Sequence, residues 1–253
     1  MNHRLRKRLV LGWLAGLLLL AAGLRAEVPP LLNSALRKLQ ADENRWAFTQ
    51  TTQEFDRKGE PEGGLTVERF DPSQHYDQQW TLVSYQGREP TPREERAWRK
   101  RKAKETKRRE EKSLGEVMDL ENARAVETSD AKVAFAVPLL AGASKRLPAE
   151  KFVVRMDVDP ANETLQAFRL ETTGDFRVLG VAKIDRIEVA AEFATVDPQF
   201  APQPARITAS GAGRVLFFRV GGAVDIVWSE FRRVTPYDDR FKVEIGEMKV
   251  FGF

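Results

Sequence analysis

Apolar positions along the chain fall into three regimes with different periods. Leu9 to Gly23 (LVLGWLAGLLLLAAG) is an unbroken apolar run without period. Leu31, Leu32, Ala35, Leu36 and Leu39 then recur at helical spacing just after Pro29-Pro30, which predicts a short amphipathic helix started by proline. From Trp46 onward the period drops to two, as in RWAFTQTTQEF, where aromatic and Thr residues alternate with polar ones.

Alternating segments continue at Leu65–Phe70, Gln79–Tyr85, Lys132–Leu139, Lys151–Val158, Thr164–Glu171, Val181–Phe193, Ala205–Ser210, Arg214–Val220, Ala223–Phe231 and Phe241–Phe251. Turn composition separates them. Arg57 to Gly64 (RKGEPEGG) joins the first pair as a hairpin, Gly211-Ala212-Gly213 and Gly221-Gly222 punctuate the later strands, and Asp197 to Pro204 is a long loop. With the Trp46 segment this makes about eleven strands on short connections. Strands do not alternate with helices, so a parallel sheet is disfavoured. The fold expected is mainly β, a curved antiparallel sheet forming an unclosed barrel around the N-terminal helix.

One segment breaks the β pattern. Arg93 to Lys112 holds eleven Lys/Arg against five Glu, with Ala97, Trp98 and Ala103 its only apolar residues. Thr91 and Pro92 just ahead of it, followed by Glu94 and Glu95, mark a helix start, with the acids at the positive end of the dipole. This is a charged helical insertion, at 91–114, in a single domain spanning 27–253. Its Glu and Arg at four-residue spacing, such as Glu105 with Arg109, suit a solvated helix. As a docking element it offers Trp98, Arg99, Arg101, Lys104 and Arg108 to an anionic envelope surface or an envelope protein.

Charge reads differently once the first 26 residues are set apart. They begin with Arg4, Arg6, Lys7 and Arg8, contain the apolar run, and end Leu24-Arg25-Ala26. That is the order of a secretory signal peptide, with cleavage after Ala26. A membrane anchor is the alternative, although 15 apolar residues fall short of the ~20 that span a bilayer. The whole chain has 41 Lys+Arg and 37 Asp+Glu. Five of the basic residues and none of the acids lie in 1–26, which leaves 36 against 37 from Glu27 onward. High basicity therefore does not argue for nucleic acid as a partner, and export to the periplasm argues against it.

Composition removes several chemistries. The chain has no cysteine, hence no disulfide, no thiolate nucleophile and no Cys-based metal site. Its two histidines are His3 and His75, too few for a multi-histidine zinc site, and no HExxH, G-x-S-x-G or Walker pattern occurs. No catalytic residue, metal ligand or cofactor is assigned, and the chain reads as a non-enzyme. Asp225 and Glu230, in or beside an apolar strand, are the carboxylates that keep a paired-acid hydrolase as a minor alternative. Large residues on the strands, Trp46, Phe48, Phe152, Met156, Phe168, Phe217 and Trp228, are candidates to line an apolar ligand site on the concave face, or simply to fill it.

A signal peptide, an amphipathic helix, a strand carrying Phe48-Thr49-Gln50 and a hairpin resemble the outer-membrane lipoprotein-sorting (carrier) superfamily. Trp80-Thr81-Leu82-Val83-Ser84-Tyr85-Gln86-Gly87 with Arg88-Glu89-Pro90-Thr91, and Val227-Trp228-Ser229-Glu230-Phe231-Arg232-Arg233, are similar to exported proteins near it. The resemblance implies an unclosed β-barrel wrapped round a helix, with an apolar cavity for a lipid or acyl chain. The charged insertion departs from the carriers proper, and no carrier residue transfers to a position of this chain. The expected role is a periplasmic protein that binds an apolar, lipid or lipoprotein ligand. The alternative is envelope assembly through the basic helix.

Overall fold

A computed structural model describes residues 27–42, 44–110, 117–142, 148–178, 182–216 and 218–241, without the side chains of 104–110. Two α-helices, α1 (Pro30–Ala41) and α2 (Pro92–Glu110), accompany eleven strands. The strands are β1 (Trp46–Phe55), β2 (Pro61–Phe70), β3 (Trp80–Ser84), β4 (Arg124–Thr128), β5 (Val133–Val137), β6 (Phe152–Asp159), β7 (Thr164–Thr172), β8 (Phe176–Val178), β9 (Ala182–Ala194), β10 (Gln203–Val215) and β11 (Phe218–Arg233).

All strand pairings are antiparallel, and they form one sheet in the order β3-β2-β1-β11-β10-β9-β7-β6-β5-β4, with β8 beside β9. The two edges, β3 and β4, do not pair, so the barrel is unclosed. These edge strands are consecutive in the chain, and the segment joining them carries α2.

Direct cross-strand partners project to one face, so the register sorts the side chains. One row runs Met156–Phe168–Ala191–Ile207–Ile226–Thr52, and the next runs Val154–Leu170–Val189–Ala209–Val224–Glu54. The opposite face carries Arg155, Arg169, Glu192, Arg206 and Asp225. An apolar inner face and a charged outer face are what period-two alternation dictates for a sheet with one side covered.

Helix α1 supplies that cover at one end. Leu32 and Ala35 are fully buried and join Met118, Val133, Phe135, Val137, Val154, Met156, Val158 and Leu165 in one core, with Leu31, Leu36 and Leu39 packed at its margin. Each such side chain contributes about 1.5–3 kcal/mol on burial. The helix's polar side is tied down too. Ser34 donates to the Glu163 carboxylate at 2.6 Å, and Lys38 donates to the Asn162 carbonyl at 2.7 Å. The Ser34 hydroxyl foremost, and then the Lys38 ammonium 3.3 Å from the same carboxylate, hold the Glu163 carboxyl below its ordinary range.

The strands differ from the sequence expectation in three respects. β2 begins at Pro61, not Leu65, because a proline is tolerated as first residue of a strand and the turn needs only 56–60. β4 and β8 are strands that their mixed composition did not mark. Gly211-Ala212-Gly213 and Gly221-Gly222 are not turns at all. They lie inside β10 and β11, and the chain reverses at 215–218 instead. A Cβ on Gly213 would sit 2.5 Å from the Lys183 carbonyl oxygen, and one on Gly221 2.6 Å from that of Gly211. These glycines permit close backbone approach rather than reversal. The expected strand at Phe241–Phe251 and the segment 1–26 fall outside the described residues, apart from Phe241 in a final 3-10 turn.

A candidate binding face on the inner side of the sheet

The second helix begins as expected. Thr91 caps it: the Glu94 amide donates to the Thr91 hydroxyl, and the Glu94 carboxylate accepts from the Thr91 amide at 2.9 Å, a reciprocal capping box. Arg88 grips the same carboxylate with two bonds, of 2.6 and 3.0 Å. The Arg88 guanidinium first, and then the Thr91 amide and hydroxyl, lower the Glu94 carboxyl to about 2.

What holds α2 to the sheet is polar. Glu68 of β2 is only 4% exposed, and its carboxylate accepts from the Trp98 indole, from Lys102 at 2.8 Å and from Gln50 at 2.8 Å. A buried carboxylate with three donors is satisfied in the way such a group requires. Lys102 also lies 3.9 Å from the centre of the Trp80 ring, a cation–π contact. Gln50 and Glu68 stand in the row of Trp228 and Leu82, next to the Ile226 row in β11, so α2 sits on the same face as α1.

Beside this latch is an aromatic cluster. Phe48 touches Phe70 at 5.1 Å between ring centres, Trp80 at 5.9 Å, Phe231 at 6.0 Å and Trp228 at 6.5 Å. Glu230, at φ +55°, sits where the β1–β11 register slips, and the slip lets Trp228 and Phe231 both reach Phe48. Trp46 closes the end of the face. It is buried edge-on against Phe200, its indole donates to Asp42 at 2.8 Å, and Arg233 pairs with that carboxylate while stacking on Phe200.

Between the two helices lies a strip that neither covers. Ile187, Val189, Ile207, Ala209, Val224 and Ile226 are half-buried along the middle of β9, β10 and β11, flanked by Trp228. The helices pack elsewhere, α1 on β6 and β7 and α2 on β3. This apolar trough, open among the described residues, is the candidate binding face.

The expected lining residues divide around it. Met156, 1% exposed, lies inside the α1 core, and Phe152 is buried against Phe176 at 5.4 Å. Phe168 packs on the core margin, in the Ile207 and Ile226 row. Phe48 and Trp228 are half-buried at the aromatic end of the trough, and Phe217 is outside the described residues. The middle of the trough is instead made by medium-sized residues, Val189, Val224 and Ile226 among them. Their signal was the shared parity of apolar positions along β9 to β11, hidden by taking the glycines as turns.

The docking set on α2 is also revised. Trp98 is 4% exposed and points into the sheet, so it is not a surface anchor. Arg99 pairs with Glu95 at 2.6 Å, Arg101 is engaged in an interaction, and the side chains of Lys104 and Arg108 are outside the described residues.

Elsewhere a shallow pocket of about 230 Å³ is lined mainly by outer-face residues, among them Phe55, Glu188, Arg206, Thr208 and Asp225, with Ala209 and Val224 also contributing. Asp225 is bound by Arg206 through two 2.8 Å contacts, and Glu230 accepts from Thr49 at 2.6 Å and from Arg69. Both acids are outward strand charges in ion pairs, far from forming a matched pair in a cleft. Among the described residues no group of three or more His, Asp or Glu is placed to hold a metal ion, and no helix is long and apolar enough to cross a membrane. Compared with known protein families, curated proteins and solved structures, the chain matches none.

Proposed function

We propose that this chain is an exported, non-enzymatic binding protein that holds an apolar or lipid ligand against the inner face of its unclosed barrel. The observation that carries the reading is the trough: a strip of half-buried aliphatic side chains, ended by an aromatic cluster, that both helices leave uncovered. Apolar side chains gain about 25 cal/mol per Å² on leaving water, so an open strip of this kind favours an apolar occupant. Two buried acids beside it, Glu68 and Asp42, already have their donors, and the acid in its own rows, Glu54, stands exposed at the rim opposite Val224. The cell envelope and a role akin to the lipoprotein-sorting carriers belong to this proposal, on the strength of the N-terminal 26 residues and the order of elements.

Lipid extraction of the purified protein with mass spectrometry, together with displacement of an environment-sensitive dye by fatty acid, tests it. Val224→Glu with Ile226→Glu, both facing the trough, is expected to weaken dye binding at least tenfold, and Thr208→Ala on the outer face to leave it unchanged. Absence of both extracted lipid and dye displacement overturns the reading.

A further inference from the structure

Where β10 turns back into β11, the chain departs from what a water-exposed hairpin favours. Tight hairpin turns draw Asn, Gly and Asp, because their central residues need positive φ and face solvent. Here Val215 pairs with Phe218, and Leu216 in between has φ +55°, a conformation uncommon for a bulky aliphatic residue. Leu216 is 66% exposed and Phe218 74%, with Val215 and Val220 exposed beside them. An exposed apolar patch at the end of a hairpin marks a surface that meets something apolar.

The charges are arranged as unusually as the apolar residues. By register, Val215, Phe218 and Val220 share the inner side of the hairpin, while Arg214 and Arg219 face each other directly on the outer side. Like charges in that position repel. Arg214 reaches Asp185 only at 3.9 Å, and Arg219 has no ion pair among the described residues. The β9–β10 register slips between Ala212 and Gly213, and Gly213 and Gly221 allow backbone approaches that a Cβ would block.

We propose that this hairpin tip docks on an anionic phospholipid surface, with Leu216 and Phe218 entering the boundary between headgroups and acyl chains while Arg214 and Arg219 take headgroup phosphates. An opposed arginine pair is unfavourable alone and favourable around a shared anion, and an apolar tip is unfavourable in water and favourable in that boundary. A bilayer surface answers both at once. A protein partner would need an acidic rim and an apolar socket together. Docking at this tip goes beyond ligand binding in the trough, and the two fail separately.

The chain has no cysteine, so Leu216→Cys in the full chain takes a single environment-sensitive NBD label. With vesicles of phosphatidylcholine and phosphatidylglycerol at low salt, its emission is expected to shift to the blue, and with phosphatidylcholine alone the shift is weak. Each basic residue near an anionic leaflet raises affinity about fivefold, so Arg214→Gln with Arg219→Gln lowers apparent vesicle affinity about 25-fold. A label on Ala161→Cys, in the exposed β6–β7 turn at the other end of the sheet, is expected to stay in water. The proposal is overturned if position 216 shows no shift, if position 161 shifts equally, if the arginine changes leave affinity intact, or if the shift needs no lipid and grows with protein concentration. That last result would mean a second copy of the chain covers the tip. Dye binding in the trough is expected to survive the arginine changes, which separates the two proposals.

Discussion

The sheet is covered at both ends of the same face, but by opposite means. Over β5 to β7, α1 inserts Leu32 and Ala35 into an aliphatic core whose members are almost wholly excluded from water. Beside β1 to β3, α2 brings one tryptophan and one lysine to a buried carboxylate, and the neighbouring aromatic residues stay half exposed. The first arrangement draws on burial, which is cumulative and non-directional. The second draws on a few directional bonds to one carboxylate, each contributing about 1.5–3 kcal/mol, with no comparable number of buried side chains behind them. The α1 end is thus the stability centre of the sheet and the α2 end its loosely fastened margin, with the open trough between them.

The largest effect should come from the α1 end. Leu32→Ala removes a side chain with no exposure and is expected to cost about 3 kcal/mol, read as a lower urea midpoint. Next comes the strand the two ends share. Gly221→Ala places a methyl against the Gly211 carbonyl and is expected to cost about 1–3 kcal/mol, since a backbone atom cannot step aside. Glu68→Gln should cost about 1–2 kcal/mol and act locally, raising amide exchange in 92–103 while 30–41 stays protected. An equal rise in both segments would mean that the two ends form one cooperative unit and that the contrast is mistaken.

The smallest effect is a pH dependence. The Glu94 carboxyl is held at about 2, below its ordinary 4.5, so its stabilising contribution is complete above pH 4.5 and is lost as pH falls toward 2. Helix content at the start of α2 should decline across that window, and Glu94→Gln should remove the dependence. No decline between those pH values would show that the capping box does not hold this end.

Much of this contrast was legible residue by residue. The spacing of Leu31, Leu32, Ala35, Leu36 and Leu39 marked the α1 face correctly, because a helix places those positions on one side whatever it packs against. Thr91-Pro92 with Glu94 marked the start of α2 for the same local reason. What Trp98 does was not legible. In a run of eleven cations it stands as a lone exposed anchor, and only Glu68, 30 residues earlier, turns it inward. Gly213, Gly221 and Gly222 were misread because a glycine chosen for turning and one chosen for close approach look alike until the neighbouring carbonyl is placed.

By itself, then, the sequence determined the period of each segment, the antiparallel β class, the apolar face of α1 and the charge excess of α2. These follow from local stereochemistry and from the alternation of side chains along a strand. Only the tertiary structure decided which strands are neighbours, that β3 and β4 do not pair, and that both helices leave the middle of the inner face uncovered. Those depend on register across long sequence separations. It also decided that the β10–β11 reversal falls on Leu216 rather than on the glycines, because backbone contacts between strands consume the glycines first.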